Sequence, residues 1–262
     1  MADHQMGLHG TGRDDLNGPT RHALAQTHHA LAQTRRGMLA GLAATVGGFS
    51  LPLALPTFNT DALAASAALP FHEIAEGLFV RYGLQEEMSA QNGATIANIG
   101  FIVGEISVAV IDTGTTTQQG TALRAAIARV TDKPFSHVIA THVHPDHCFG
   151  HGAFAAEIAA GEIANVGHHR LPQALAERGA FYLERIRALS PDFSDTRFIA
   201  PTDLMREVTT IDLGNRPLTL EAWPAAHTDS DLTVRDARTD TLWAADLLFA
   251  ERLPILDGSL NG

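Results

Sequence analysis

His142-Val143-His144-Pro145-Asp146-His147 places three imidazoles and a carboxylate within six residues. The β-branched stretch 136–141 before it reads as a short strand that stops at the cluster. Side chains in this spacing do not form one face of a regular helix, and Pro145 blocks helix continuation. A loop after a strand can instead turn them toward one point. Imidazole nitrogen and carboxylate oxygen are the donors that zinc takes in open catalytic sites. A lone histidine on an apolar strand is more often a hydrogen-bonded core residue. Four such donors in six positions point to a metal, because several buried imidazoles without a partner would leave costly unsatisfied polar groups.

Outward from this cluster the pattern is layered. Residues 71–81 read as a first strand, and 94–103 and 106–111 as a hairpin turning at Gly104-Glu105. The second hairpin strand runs into Asp112-Thr113-Gly114, so an acid stands where a buried strand ends. A helix is expected over 117–130, ended by Lys133-Pro134. Beyond the cluster come a helix over 150–160, a brief strand at 165–167 and an amphipathic helix over 172–189. That last helix offers Leu175, Phe181, Leu183 and Ile186 for packing. Strands return at 209–211, 218–223, 232–234 and 241–244, with Trp223 and Trp243 expected in the core. This order implies a layered α/β sandwich rather than a single doubly wound sheet.

The chain has 262 residues, 45% of them hydrophobic, enough for one full-sized domain with a core. Its formal charge of −11 leaves no phosphate-binding surface, so nucleic acid is not an expected partner. The single cysteine, Cys148, excludes an intramolecular disulfide and a thiolate-rich metal site, and reads as a small buried hydrophobe. Of 14 histidines, five precede residue 67 and six lie between His142 and His169. His151 is read either as lining a pocket or as packing, and His168 and His169 as covering the site edge or ending a strand.

Residues 1–33 are polar and His-rich, with HALAQT at 22–27 repeated at 29–34, and are read as a disordered leader or as translation from a start placed too early. Arg35-Arg36 then precedes a weakly apolar run over 38–55, broken by Gly41, Gly47, Gly48 and Pro52, and the small residues Ala62-Leu63-Ala64. Over 34–66 this has the pattern of a twin-arginine export signal, because a membrane span would need about 20 strongly apolar residues. The expectation is a periplasmic domain over 67–262 with no stable membrane span after processing.

Asp112-Thr113-Gly114, the HxHxDH spacing of His142, His144, Asp146 and His147, His227-Thr228 after a strand, and Asp246-Leu247-Leu248-Phe249 follow one another in an order that resembles the metallo-β-lactamase superfamily over about 71–262. The resemblance implies a four-layer αβ/βα sandwich with the metals at one edge between two sheets. It implies two zinc ions, the first held by His142, His144 and His227, the second by Asp146 and His147, with Asp246 bridging and Asp112 supporting the ligand loop. The family's final histidine has no counterpart after Asp246, which implies a domain incomplete at its C-terminus and an impaired second site. His/Asp donors also accept iron or manganese.

Iron-dependent oxygen-reducing relatives carry Glu where His144 stands, so the resemblance favours hydrolysis. Asp246 in Ala-Asp-Leu-Leu-Phe resembles glyoxalase-II-like hydrolases, whereas β-lactamases carry Cys or Ser there. The implied activity is therefore attack of metal-bound hydroxide on an ester or thioester carbonyl, with Asp146 orienting the nucleophile and accepting its proton. The tail 251–260 resembles the quinoprotein relay system zinc metallohydrolases and their sulfur-oxidation-linked relatives, which are exported proteins. A quinoprotein dehydrogenase system is thus an expected partner. The competing expectation, favoured by the missing ligand, is a catalytically impaired metal-binding accessory or carrier protein for such a system.

Overall fold

Two β-sheets face each other across an apolar layer in the computed structural model, which describes residues 70–250 and 253–260. The leader and export signal expected over 1–66 lie outside the described residues. The larger sheet has seven strands in chain order: β1 (His72–Ala75), β2 (Leu78–Arg81), β3 (Ile99–Val103), β4 (Val108–Ile111), β5 (Phe135–Ala140), β6 (Ala164–His168) and β7 (Asp203–Met205). Its first four strands pair antiparallel and the rest, from β4 onward, parallel. The smaller sheet is antiparallel, in the order β11 (Thr241–Trp243), β10 (Leu232–Asp236), β9 (Pro217–Ala222), β8 (Val208–Asp212).

Side-chain alternation divides the larger sheet's residues between two cores. Ala109, Ile111, Ile102 and Ile139 face Leu218, Leu220, Leu232, Val234 and Trp243 of the smaller sheet. Val108, Val110, Ile99, Phe101 and Val138 face Leu123 and Ile127 of helix α1 (Thr117–Val130). All four residues of β4 are buried, as expected of a strand covered on both faces. A third cluster joins Val143, Cys148 and Phe149, around the metal-type motif, to Leu171, Ala174, Leu175 and Ile186 of a 19-residue helix (Leu171–Leu189).

Arg216, in the turn between β8 and β9, ties the two sheets together. Its guanidinium donates to Val103 O at 2.8 Å and Glu76 O at 2.7 Å and pairs with Asp236 at 2.6 Å, with both charged side chains buried.

Several sequence expectations change. The expected strand over 71–81 is a hairpin, because Gly77 at φ +65 turns the chain between β1 and β2 and its N–H donates to Glu73 Oε1. The expected helix over 150–160 starts as a 3₁₀ segment, Phe149–Phe154, and becomes α-helical only over Ala155–Ala160. Gly150, in that segment, lies against the Thr113 carbonyl too closely for any Cβ. β7 carries no strand pattern of its own and forms by pairing with β6. Trp243 is in the core, but Trp223 is 37% exposed, and Phe181 is 58% exposed rather than packed.

Candidate metal centre

Parallel pairing of β4 with β5 brings the ends of both strands to one sheet edge. Asp112 follows β4, and its buried carboxylate accepts from Thr141 N at 2.9 Å, Thr141 Oγ1 at 2.8 Å and His147 Nδ1 at 2.8 Å. Thr113 N donates to His147 O at 2.7 Å, so the ligand loop is bound to the end of β4 by backbone as well. Pro145 does not block a helix here but begins one. It occupies the first turn of Pro145–Cys148, where its missing N–H costs nothing. Asp146 and His147 ride on that turn.

The other sheet supplies the remaining donors. His227 lies between β9 and β10, in a loop held by Asp231, which accepts from Thr228 N and Thr228 Oγ1. Leu232 N donates to Thr141 O at 2.7 Å and joins this loop to the first sheet's ligand loop. Asp246 sits on a 3₁₀ turn, Ala245–Leu247, just after β11.

His142, His144, His227 and Asp246 each direct one donor atom to a common point, all within 4.8 Å of one another. His144 Nδ1 is 3.2 Å from His142 Nε2 and 3.0 Å from His227 Nε2, and Asp246 Oδ2 is 3.4 Å from His227 Nε2. Zinc–nitrogen bonds of about 2.0–2.1 Å in a tetrahedron put neighbouring donors about 3.3 Å apart, so the spacing fits a divalent ion. His147 stands outside this group of four. Its Nε2 faces the other oxygen of Asp246 at 3.3 Å and Asp146 Oδ2 at 3.7 Å. Asp246 therefore presents Oδ2 to the four-donor group and Oδ1 to His147.

The tautomers follow from the outer hydrogen bonds. The Thr141 hydroxyl donates to Asp112, so it accepts from His142 Nδ1 at 3.0 Å and leaves His142 Nε2 bare for a metal. Asp112 takes the Nδ1 proton of His147 in the same way. Burial, and then the neighbouring imidazoles, hold His142 well below the usual histidine range, and burial also lowers His144. At His147 burial acts downward, but Asp246, Asp112 and Asp146 together raise it well above that range. Burial raises Asp112. At Asp246 burial is outweighed by His147, His227 and His144, which lower its carboxyl. Three carboxylates around one imidazole create a demand for positive charge that a metal ion would meet.

The site lies at the floor of a cavity of about 1320 Å³. His144, Asp146, His147, His227 and Asp246 face it, under walls that include Tyr182, Phe181, Trp243, Leu248 and Phe249. A smaller cavity of about 420 Å³ meets His227 and Asp246 from another side and is lined by the exposed Trp223.

His151, His168 and Cys148 lie outside the four-donor group. His151 is fully buried against Thr113, with Nδ1 2.9 Å from Thr113 Oγ1, and burial lowers its pKa to about 4. His168 ends β6 and accepts from Arg170 N, and burial followed by His169 lowers it to about 4. Cys148 is buried, with its thiol directed at the Val143 and His144 carbonyls. Asp257 belongs to the tail 251–260 that carries a family resemblance, but its role was not read from the sequence; it reaches the cluster from the tail and faces His144 Nε2 at 3.7 Å.

The family model described as "Metallo-beta-lactamase superfamily" matches residues 92–261. A search of curated proteins finds no match. Among solved structures, a metallo-beta-lactamase from Pontibacter korlensis is similar at a TM-score of 0.57 and 16% identity, over 74% of this chain and 80% of that one. The metallo-beta-lactamase IND-7 is similar at 0.53 and 16%, over 70% and 73%. The stereoselective inverting sec-alkylsulfatase Pisa1 from Pseudomonas sp. is similar at 0.50 and 17%, over 68% of this chain but 31% of that one. At these identities the likeness is one of fold.

Proposed function

The chain belongs to the metallo-beta-lactamase superfamily, and from that premise we propose that it is a metal-dependent hydrolase of esters or thioesters with an apolar acyl group. The observation that carries this reading is the convergence of four donor atoms within 4.8 Å beside a large cavity with apolar walls. Zinc or another divalent ion bound there supplies Lewis acidity toward a carbonyl oxygen and toward water.

His142, His144, His227 and Asp246 would hold that ion. Asp146, His147 and the Oδ1 of Asp246 would form a second donor set beside it. Asp112 keeps the proton of His147 on Nδ1, so that Nε2 stays directed at Asp246. Asp146 faces the cavity, where its carboxylate would orient an attacking water and accept its proton. The apolar part of the lining, Phe181, Tyr182, Trp243, Leu248 and Phe249, would seat the acyl group. The preference for an ester or thioester over a β-lactam rests on the resemblance of Asp246 in Ala-Asp-Leu-Leu-Phe to glyoxalase-II-like hydrolases.

The purified full chain, loaded with zinc, is tested against p-nitrophenyl esters and acyl thioesters of increasing chain length. Hydrolysis that grows with chain length and disappears on chelation is the expected result. A fully zinc-loaded protein inert toward the whole series would overturn the reading and favour a metal-binding accessory role.

The periplasmic setting and the link to a quinoprotein dehydrogenase system rest on the Arg35-Arg36 pattern and on the resemblance carried by 251–260. Fractionation of cells expressing the full chain checks the first of these. The unaltered chain is expected in the periplasm, and a chain with Arg35→Lys and Arg36→Lys in the cytoplasm.

A further inference from the structure

We propose that Asp257 is a positioning residue of the metal centre, its carboxylate holding the outer nitrogen of His144 while Arg178 and Tyr182 hold the carboxylate. The inference rests on the metal site proposed above. Among the three imidazoles of the four-donor group, His144 alone turns Nδ1 inward, so its Nε2 must carry the proton and needs an acceptor outside the cluster. Asp257 Oδ2 faces that nitrogen at 3.7 Å, a distance that a closure of about 0.5 Å converts into a hydrogen bond.

The same oxygen is approached from the other side by Arg178 Nη1 at 3.3 Å and by the Tyr182 hydroxyl, which donates to it at 3.4 Å. Both belong to the helix Leu171–Leu189 that packs behind the ligand loop. Arg178 also reaches Asp229, two residues beyond the ligand His227, at 3.5 Å. One guanidinium thus connects the tail to the loop that supplies another donor.

The tail's backbone is fastened to that loop as well. Asp257 N donates to His227 O at 2.9 Å, and Ser259 N to Ala226 O at 2.9 Å. Gly258, between them, lies so close to the Ala226 and Thr228 carbonyls that any Cβ would overlap both. Two other histidines of the site have outer partners, Thr141 for His142 and Asp112 for His147, whereas the buried Nδ1 of His227 has none among the described residues. Such partners fix ring orientation and tautomer, and their loss commonly weakens metal binding by about 10–100-fold.

The test uses the full chain and zinc alone, read by competition with a chromophoric chelator, with the melting temperature of the chelated protein measured in parallel. Asp257→Ala is expected to weaken zinc binding by about 10–100-fold with the metal-free melting temperature unchanged. Arg178→Ala should weaken it less, because Tyr182 still holds the carboxylate. Asp257→Asn should recover most of the affinity, because its amide oxygen can still accept from His144 Nε2. Wild-type affinity in Asp257→Ala would overturn the proposal, as would an Asn variant no better than Ala, or a loss matched by a fall in metal-free stability. If the wild type bound no zinc at all, both this inference and the functional reading would fall. If the wild type bound it tightly and the Asp257 variants did the same, only this inference would.

Discussion

Asp112 meets His147 at 2.8 Å while its own backbone sits at φ +55, in the left-handed region that non-glycine residues seldom occupy. The strained turn aims the carboxylate back across the sheet edge, where it collects one proton each from Thr141 N, Thr141 Oγ1 and His147 Nδ1. That arrangement decides which nitrogen of His147 faces the site.

Asp112→Asn keeps a residue that tolerates this backbone but replaces one acceptor oxygen with a donor. With Thr141 N still on the remaining oxygen, the amide NH₂ faces both His147 Nδ1 and Thr141 Oγ1, so the His147 proton shifts to Nε2 and the Thr141 hydroxyl turns to donate to His142 Nδ1. The variant is expected to fold, to bind metal more weakly at both donor sets, and to hydrolyse substrate at a rate about 10–100-fold lower. Metal stoichiometry and kcat check this together, with circular dichroism as the control for folding.

Arg216 and Asp236 form a buried pair far along the chain from the histidine motif, and removing one partner strands a charge in the interior. Arg216→Met is expected to cost about 3–5 kcal/mol in urea denaturation. Burial acts to raise the Asp236 carboxyl, but hydrogen bonds from Arg216 and Thr239 and the Arg216 charge hold it below its ordinary value. A carboxyl lowered in the folded state contributes stability that is complete above its unfolded pKa and is lost as pH falls through the folded one. Asp236→Asn should therefore be less stable at neutral pH and show a flatter decline of stability on acidification.

Leu248 is 75% exposed and lines the large cavity, so Leu248→Ser should leave folding intact while removing part of an apolar wall. For a long-chain acyl thioester, KM is expected to rise about 5–30-fold, the equivalent of about 1–2 kcal/mol of lost burial. A short-chain thioester should show little change. Comparing KM across chain lengths in the two proteins checks the assignment of this surface to the acyl group.

The 142–147 cluster was legible in the sequence because four ligand-type residues in six positions follow a recognisable strand, and the other residues of the site also lie near strand ends. Asp112 follows β4, His142 follows β5, His227 falls in the turn between β9 and β10, and Asp246 follows β11. His227 and Asp246 were grouped with that cluster only by the resemblance to the metallo-β-lactamase superfamily, and the fold brings them to it because strand ends in a layered sheet protein collect at one edge. The β1/β2 turn was missed because 71–81 alternates loosely across Gly77, and nothing local distinguishes a tight turn from a continuous strand there. Trp223 and Phe181 look like core residues by type, yet both line cavities. Asp257 lay within the tail 251–260 noted for its resemblance, but nothing local tied it to the metal site. Its meaning comes from Arg178, Tyr182 and His144, residues 75 or more positions away that only the tertiary fold brings to its carboxylate.

Zinc content of the purified full chain, measured by mass spectrometry beside the His144→Ala variant, tests the metal centre most directly. At least one tightly held zinc per wild-type chain, lost together with ester or thioester hydrolysis in the variant, is the predicted result. A wild-type chain that holds no zinc after reconstitution, or a variant that keeps both metal and activity, would contradict it.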